Sequence, residues 1–403
     1  MLKSLAIRNF RSCQNVQVDL SEPVIALLGR NGVGKTNVLH AIQVVADLCI
    51  GETEPLFTLS PHIADQPVAF QLTFRVGGST YEYATERSIR GNHESTEALC
   101  LDGQTLFSRK GESVEVAGTE ITHLKIGLVA PTLSTLLKIL PSHDQAALAL
   151  RPAADYLRNI GYYPLIQGFQ EHLNGPPPPR AQYAELGGDY SSIIQTAAYE
   201  LWKIELQNGR ARRSVQMRLL HLSLTDPDRF KELKQLLSRL ELVDDIQIER
   251  IQLQGRTLQD NERLSHETAY RIAFVPSSSL AGHGKTFRYN GLSAGTWRIM
   301  QLLTYLLFDQ NSCMLLEQPE DSVHPGMLAK VIDILRAYAS RTQLIFTTHS
   351  PRVVNALGPK CLRFVKATDG ATSISELSPE EILEAERYEA TQGTLAEFLA
   401  TLE

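Results

Sequence analysis

The sequence predicts an α/β chain with a mixed core sheet that carries a phosphate-binding loop, an antiparallel β-lobe and a helical insertion. Three observations predict it. A glycine-rich motif, GRNGVGKT at 29–36, stands between an apolar run, VIALL, and a stretch with helical spacing. Alternating apolar and polar residues with Gly-Gly and Asp-Gly turn signals fill 67–130. Helical patterns then run from Pro131 to about Asp226 and strand patterns resume after them, so the core must be assembled from the two ends of the chain. The expected domains are 1–130 (phosphate loop and β-lobe), 131–226 (helical insertion) and 227–403 (the rest of the core, ending in a C-terminal helix).

Taken in order, MLKSLAIRNF alternates like a strand instead of showing a signal peptide. VIALL reads as a buried strand, and KTNVLHAIQVVADLC places Val38, Leu39, Ile42, Val45 and Ala46 at helical spacing. Between them, Gly29, Gly32 and Gly34 let the backbone curl so that successive N–H groups face a polyphosphate, and the helix N-terminus adds its dipole. Lys35 is placed to reach the β- and γ-phosphates and Thr36 to hold Mg²⁺. The whole loop, Gly29, Arg30, Asn31, Gly32, Val33, Gly34, Lys35, Thr36 and Asn37, is thus the candidate ATP site. A glycine-rich turn with a chance lysine is the bland alternative, and the flanking strand and helix argue against it.

The segments VAFQLTFRV, STYEYATERSI and ALCLDGQTLFS predict the antiparallel sheet. TLSTLLKIL, DYLRNIGYY and SSIIQTAAYELWKIEL read as helical runs, broken by the stiff connector GPPPPR at 175–180. No heptad persists over three repeats, which excludes a long coiled-coil arm. IQIERIQL and AYRIAFVP read as strands, and LSAGT at 292–296 opens the helical WRIMQLLTYLLF, with Ser293 as N-cap and Gly295 permitting a tight turn. MLLEQPEDSVHP from 314 and QLIFTTHS, ending at His349 and Ser350, read as two apolar strands that stop in polar residues. SPEEILEAERYEATQGTLAEFLATLE reads as an amphipathic end that either packs on its own core or docks a partner.

Composition bounds the function. The chain has 403 residues, 43% hydrophobic, and a formal net charge of −6, so no global basic field announces nucleic acid. The five cysteines are scattered without a CxxC pair, which argues against a disulfide framework or a structural zinc site and for a reducing compartment. No apolar stretch approaches the roughly 18 residues of a membrane span. A cytoplasmic protein with no membrane contact is expected. The best local basic feature is GRARRSVQMR at 209–218, with Arg210, Arg212, Arg213 and Arg218; it reads as a solvated helix face, a partner patch or a DNA contact.

Together, LAIRNFRS, GRNGVGKTN, LSAGT, LLEQPEDSVHP and FTTHSP resemble the ABC-type ATPase heads of the SMC and RecF group, most closely the bacterial ATPases related to the overcoming-lysogenization-defect nucleases. The resemblance implies an ABC/SMC-like P-loop head that binds ATP and Mg²⁺ and dimerises with ATP between the two copies. It also implies roles for individual residues. Ser293 and Gly295 match the signature motif, which meets the nucleotide of the other subunit. Arg11 joins the nucleotide contacts. Glu317 stands at the Walker B position as a Mg²⁺ ligand, Gln318 at the position of the catalytic glutamate, and His349 at the switch histidine.

Physical chemistry supports the same roles. Mg²⁺ takes hard oxygen ligands, which suits Glu317 at the end of an apolar strand. A carboxylate can both position water and take its proton, whereas the amide of Gln318 can only position, so binding without fast hydrolysis is expected. The amide reads either as the chain's own residue or as a substitution for a carboxylate. His349 reads as a phosphate sensor or as a satisfied core histidine, and Glu320 as a partner of a base across the dimer or as a helix cap. The related nucleases carry a metal-dependent nuclease domain downstream, for which the stretch after His349 leaves no room, so nucleolytic or toxic output is expected from a separate effector protein. Two outputs stay open: an antiviral defence ATPase acting with such an effector, or a RecF-like repair or replication ATPase that clamps DNA.

Overall fold

In the computed structural model the described residues are 1–51, 60–63, 65–88, 95–119, 123–127, 130–164, 193–207, 214–256, 264–277, 286–287 and 291–402. The chain divides into two units: Met1–Pro164 with Asn311–Glu320 and Leu328–Glu403, and Leu165–Gln310 with Asp321–Met327.

Unit 1 opens with a hairpin. In β1 (Leu2–Phe10) the residues Leu2, Leu5 and Ile7 are buried, and the strand turns through Arg11 and Ser12 into β2 (Cys13–Asp19). An all-apolar strand, β3 (Val24–Leu28), follows and leads through the glycine-rich loop to α1 (Lys35–Ile50). The lobe continues as β4 (Val68–Val76), β5 (Ser79–Arg87), β6 (Thr96–Leu101), β7 (Gln104–Lys110), β8 (Ser113–Val116) and β9 (His123–Lys125). These six strands and the hairpin form one eight-stranded antiparallel sheet in the order β2-β1-β4-β5-β6-β7-β8-β9. The predicted turn signals sit where they are needed, since Gly77-Gly78 and Asp102-Gly103 all have positive φ, as tight hairpins require. The sheet therefore exceeds the predicted 67–130 by the N-terminal hairpin.

Two helices, α2 (Thr132–Ile139) and α3 (Gln145–Arg158), and a short strand, β10 (Ile160–Tyr163), complete the N-terminal part of unit 1. Here the structure corrects the sequence pattern: the helix of DYLRNIGYY ends at Arg158, and IGYY is a strand held by parallel pairing to residues 313–316. Residues 131–164, expected in the helical insertion, fold with unit 1.

Unit 2 contains β11 (Ile193–Gln195), α4 (Thr196–Gln207), α5 (Val215–Thr225), α6 (Pro227–Arg239), the long antiparallel pair β12 (Val243–Arg256) and β13 (Leu264–Pro276), and α7 (Ala294–Phe308). α7 is buried without a break from Trp297 to Leu307, its polar residues Arg298, Gln301 and Thr304 included. Arg218, predicted as part of a basic run, is a correction. It is buried on α5, bonded through Nε to Asp309 at 2.7 Å, with Tyr305 and Phe308 against its guanidinium. Arg210, Arg212 and Arg213, like the GPPPPR connector, lie outside the described residues.

The chain then returns to unit 1 with β14 (Cys313–Glu317), α8 (Pro325–Tyr338, in unit 1 from Leu328 onward), β15 (Gln343–Thr348), α9 (Pro351–Leu357), β16 (Leu362–Thr368), β17 (Ala371–Ser375), α10 (Pro379–Thr391) and α11 (Leu395–Thr401). The second sheet has the order β10-β14-β15-β3-β16-β17, parallel except for β17. It is the mixed core sheet, built from both ends of the chain as predicted. The C-terminal segment is two helices, not one: Ser378 and Thr394 each form a reciprocal capping box, with Glu381 and Glu397, and start a helix of their own.

One buried amide ties the strands of unit 1 together. Gln343 Oε1 accepts from Leu2 N at 2.6 Å, while its Nε2 donates to the carbonyls of Leu20 at 2.6 Å and Glu22 at 3.0 Å. Among the described residues no helix is long and apolar enough to cross a membrane.

Candidate phosphate-loop site

Parallel pairing decides which strand ends meet. Glu317 at the end of β14 lies beside Thr347, and Thr348 at the end of β15 lies beside Leu28, the last residue of β3 before the glycine-rich loop. The loop, Glu317-Gln318 and His349 are thereby delivered to one edge of the sheet, the carboxyl edge where α/β sheets place their ligands.

The loop is folded as its sequence requires. Gly32 and Gly34 have φ of 83° and 103°, and Gly34 caps α1. Lys35, only 6% exposed, curls back and donates from Nζ to the carbonyls of Gly29 at 2.6 Å and Arg30 at 2.8 Å. Burial lowers its pKa, and the charge of Glu320 pulls in the opposite direction. Thr36 stands half-buried in the first turn of α1. Val33 O accepts from the Thr372 hydroxyl at 2.9 Å, which links the loop to β17.

Arg11, at φ 51° in the turn between β1 and β2, donates from Nη1 to Asn37 Oδ1 at 3.3 Å, and its guanidinium also meets His40 Nδ1. Asn37 Nδ2 donates to Ser12 Oγ at 2.7 Å. From His40 a second arm runs on: His40 Nε2 bonds the Tyr162 hydroxyl at 2.9 Å, and that hydroxyl donates to Glu317 Oε1. The candidate metal carboxylate is thus oriented by a tyrosine on β10 and a histidine on α1, in a chain that begins at Arg11. Burial, with the Arg11 charge second, pushes the His40 pKa down, so the neutral ring is favoured.

Gln318 has φ 42°, a left-handed conformation uncommon for a residue with a side chain. Its backbone N–H donates to Thr347 O at 3.1 Å. Its side-chain Nε2 donates to Asn31 Oδ1 at 3.4 Å and to His349 Nδ1 at 3.1 Å. The second bond makes Nδ1 an acceptor, which leaves the proton on Nε2 of the half-exposed His349. Glu320 caps no helix, since α8 begins only at Pro325. It is 8% exposed, and its Oε1 accepts from the Thr348 hydroxyl at 2.5 Å and from His349 N at 3.2 Å.

Ser293 and Gly295 lie in unit 2. Ser293 Oγ caps α7 by accepting from Thr296 N at 3.1 Å. A Cβ on Gly295 would sit 2.3 Å from Ser322 O, so only glycine allows that backbone approach. The structure thus gathers Arg11, the loop, Glu317, Gln318 and His349 within unit 1. It adds His40, Tyr162 and Thr372, which belong to no motif, and Ser12 and Glu320, which lie within LAIRNFRS and LLEQPEDSVHP.

The donor set suits a nucleotide with Mg²⁺. It offers a hydroxyl at Thr36, a carboxylate at Glu317 and a buried ammonium at Lys35, while no group of three or more His, Cys, Asp or Glu side chains that could hold a metal occurs among the described residues. An ion held by one or two protein oxygens and by phosphates is how Mg²⁺ is usually bound.

Over 95% of its length the chain superposes on 99% of an Smc head solved in complex with the C-winged helix domain of ScpA, at a TM-score of 0.53 and 13% identity. A second match, the Smc head domain of Pyrococcus furiosus with an extended coiled coil, bound to the C-terminal domain of ScpA, has a TM-score of 0.51 at 14% identity and covers 97% of this chain and 99% of that one. The fold is that of an SMC head domain. In sequence, residues 1–59 match the family described as "AAA ATPase domain" and residues 178–355 the family described as "AAA domain, putative AbiEii toxin, Type IV TA system". The DNA replication and repair protein RecF of Acholeplasma laidlawii is 26% identical over 169 residues, 41% of this chain and 43% of that protein. The DNA double-strand break repair Rad50 ATPase of Aeropyrum pernix is 29% identical over 139 residues, 32% of this chain and 13% of that protein. The matches to these curated relatives span less than half of their length. The chain is thus similar in fold to SMC heads and, over parts of its length, similar in sequence to AAA ATPase families, to RecF and to Rad50.

Proposed function

We propose that this protein binds ATP with Mg²⁺ in the loop 29–37 and that two copies close head to head around the nucleotide. In this reading Ser293 and Gly295 of one copy face the γ-phosphate held by Lys35 of the other, Arg11 and Asn37 contact the nucleotide, Thr36 and Glu317 hold the metal, and His349 senses the γ-phosphate. The observation that carries the reading is the convergence of the loop, Glu317, Gln318 and His349 at one sheet edge, set by the pairing of Glu317 with Thr347 and of Thr348 with Leu28. Gln318 bears an amide, which cannot take a proton from water, so hydrolysis does not run through residue 318.

For the output we infer a cytoplasmic sensor or scaffold ATPase of a bacterial antiviral defence system that acts with a separate nuclease or toxin. The match of residues 178–355 to a family described by a toxin of a toxin–antitoxin system supports that reading. The RecF and Rad50 matches support the alternative, a DNA-clamping repair or replication ATPase.

Mass measurement by light scattering, with and without ATP and Mg²⁺, tests the core of the proposal. The expected result is an ATP-dependent dimer that Lys35→Ala abolishes; a monomer at saturating ATP sinks it. A co-purifying protein with nuclease or toxin motifs favours defence, and preference for gapped DNA without any partner favours repair.

A further inference from the structure

Within the site that the ATPase reading rests on, one carboxylate oxygen is left over. Glu317 engages Tyr162 through Oε1 and is assigned to the metal. Gln318 spends its amide nitrogen on Asn31 and His349. Glu320 is different. Its Oε1 is fixed by Thr348 and by the backbone N–H of His349, but its Oε2 is buried and meets no hydrogen-bond partner among the described residues. A buried carboxylate oxygen without a donor is costly, and such orphans call for an explanation in the ligand or water they meet. The side chain is 6% exposed, it is anchored to the strand end that carries His349, and its charge is felt by the ammonium of Lys35 in the phosphate loop.

We propose that Glu320, not residue 318, is the general base of this site: its Oε2 accepts a proton from the water that attacks the terminal phosphate of ATP. The water oxygen forms a bond to the γ-phosphorus. The bond from that phosphorus to the bridging oxygen breaks, with its electron pair leaving on ADP. The proton lodged on Glu320 returns to the products, so ATP and water become ADP and phosphate. Gln318 serves as a positioning residue that keeps the proton of His349 on Nε2.

Full-length protein and the variants Glu320→Gln, Glu320→Asp, Gln318→Ala and Gln318→Glu decide the matter, through single-turnover phosphate release across pH, affinity for a fluorescent ATP analogue, and the thermal midpoint. Glu320→Gln should lower hydrolysis by about 10²–10⁴-fold, the usual worth of a general base, with nucleotide affinity close to that of the parent. The parent rate should fall on the acid side as the carboxylate protonates, a limb that a merely structural residue would not create and that Glu320→Gln should lose. Gln318→Ala should lose less activity than Glu320→Gln, and Gln318→Glu should bring no gain. Hydrolysis by Glu320→Gln at the parent rate overturns the proposal, as does a large gain in Gln318→Glu, or a parent that binds ATP without turnover. If Glu320→Gln does not fold, Glu320→Asp decides: a slower enzyme that keeps the acid limb supports the base, and one without the limb refutes it. Failure of the parent to bind ATP at all defeats the ATPase reading itself and is distinguishable from these outcomes.

Discussion

Replacing Gly34 by Ala should strain the phosphate loop in two separable ways. The backbone there has φ 103°, a conformation that costs a residue with a Cβ roughly 1–2 kcal/mol. The new methyl would also lie 2.0 Å from Thr372 Oγ1 and 2.7 Å from Ser12 Oγ. The Thr372 hydroxyl cannot simply swing away, because it donates to Val33 O at 2.9 Å and shares a 2.7 Å bond with Ser12 Oγ. Displacing it forfeits two hydrogen bonds of about 0.5–1.5 kcal/mol each, for a total near 2–5 kcal/mol. Gly32 is the control. Its φ is 83°, but an added Cβ meets nothing within 4 Å, so Gly32→Ala should cost only the backbone part, about 1–2 kcal/mol. Both tryptophans, Trp202 and Trp297, are in unit 2, so their fluorescence would report the wrong unit; amide exchange in α1 under increasing urea reads the right one. In a Thr372→Ala background the extra cost of Gly34→Ala should shrink towards that of Gly32→Ala. Equal costs for the two glycines in the parent chain would refute the contact argument, as would a Thr372→Ala background that rescues nothing.

Tyr162→Phe removes the hydroxyl between His40 and Glu317, and since a side chain that hydrogen-bonds a metal ligand is typically worth about 10–100-fold in metal affinity, the Mg²⁺ concentration that supports nucleotide binding should rise by about that factor. An unchanged Mg²⁺ titration would show that Tyr162 does not orient the acid. His40 has a lowered pKa in the folded state, so the unfolded chain binds its proton first: stability is intact above the ordinary value of 6.5 and falls as pH drops below it. Urea midpoints at pH 5.5 and 7.5 should differ in that sense, and His40→Gln should narrow the gap, with His221, also lowered by burial, accounting for part of the rest. Glu97→Ala should destabilise unit 1 by about 3–5 kcal/mol, because it strips the buried Arg87 and Arg109 of their carboxylate, while a urea midpoint within error of the parent would contradict that charge accounting.

What was legible in the sequence is what local chemistry dictates. The strand before the loop, the loop and the helix after it are contiguous, and their glycines, lysine and apolar spacing are sufficient to place β3 and α1. The cap at Ser293 and the buried strand ending in Thr348 are equally local. β10 is not: its four residues become a strand only through pairing with β14, some 150 residues away, and the apolar pattern of DYLRNIGYY runs through the helix end without a break. Tyr162, His40 and Thr372 are single polar residues outside every motif, and only tertiary contact gives them a role. The division between α10 and α11, by contrast, was readable, since Gly393 followed by Thr394 and Glu397 is a helix stop and a capping box in succession. Glu320 was visible beside Gln318, but its hydrogen bond to Thr348, 28 residues later, was not.

The phosphate loop is held from both ends of the chain. Ser12, in the first hairpin, bonds Asn37 of α1 at 2.7 Å, and its carbonyl accepts from Thr372 N of β17 at 2.8 Å. Thr372 in turn grips Val33 of the loop. A ligand that fixes the loop therefore restrains the β1–β2 turn and the β16–β17 hairpin with it, because the three share these donors and acceptors. The reverse follows by linkage: whatever stiffens that turn or that hairpin raises the affinity of the loop for its ligand by the same factor. Arg11 is then in a double position, contacting Asn37 on one side and His40 on the other, so that a ligand drawing its guanidinium away from His40 would also loosen the arm that runs through Tyr162 to Glu317. If Arg11 contacts the nucleotide and Glu317 the metal, as proposed, those two roles are joined through three side chains, Arg11, His40 and Tyr162.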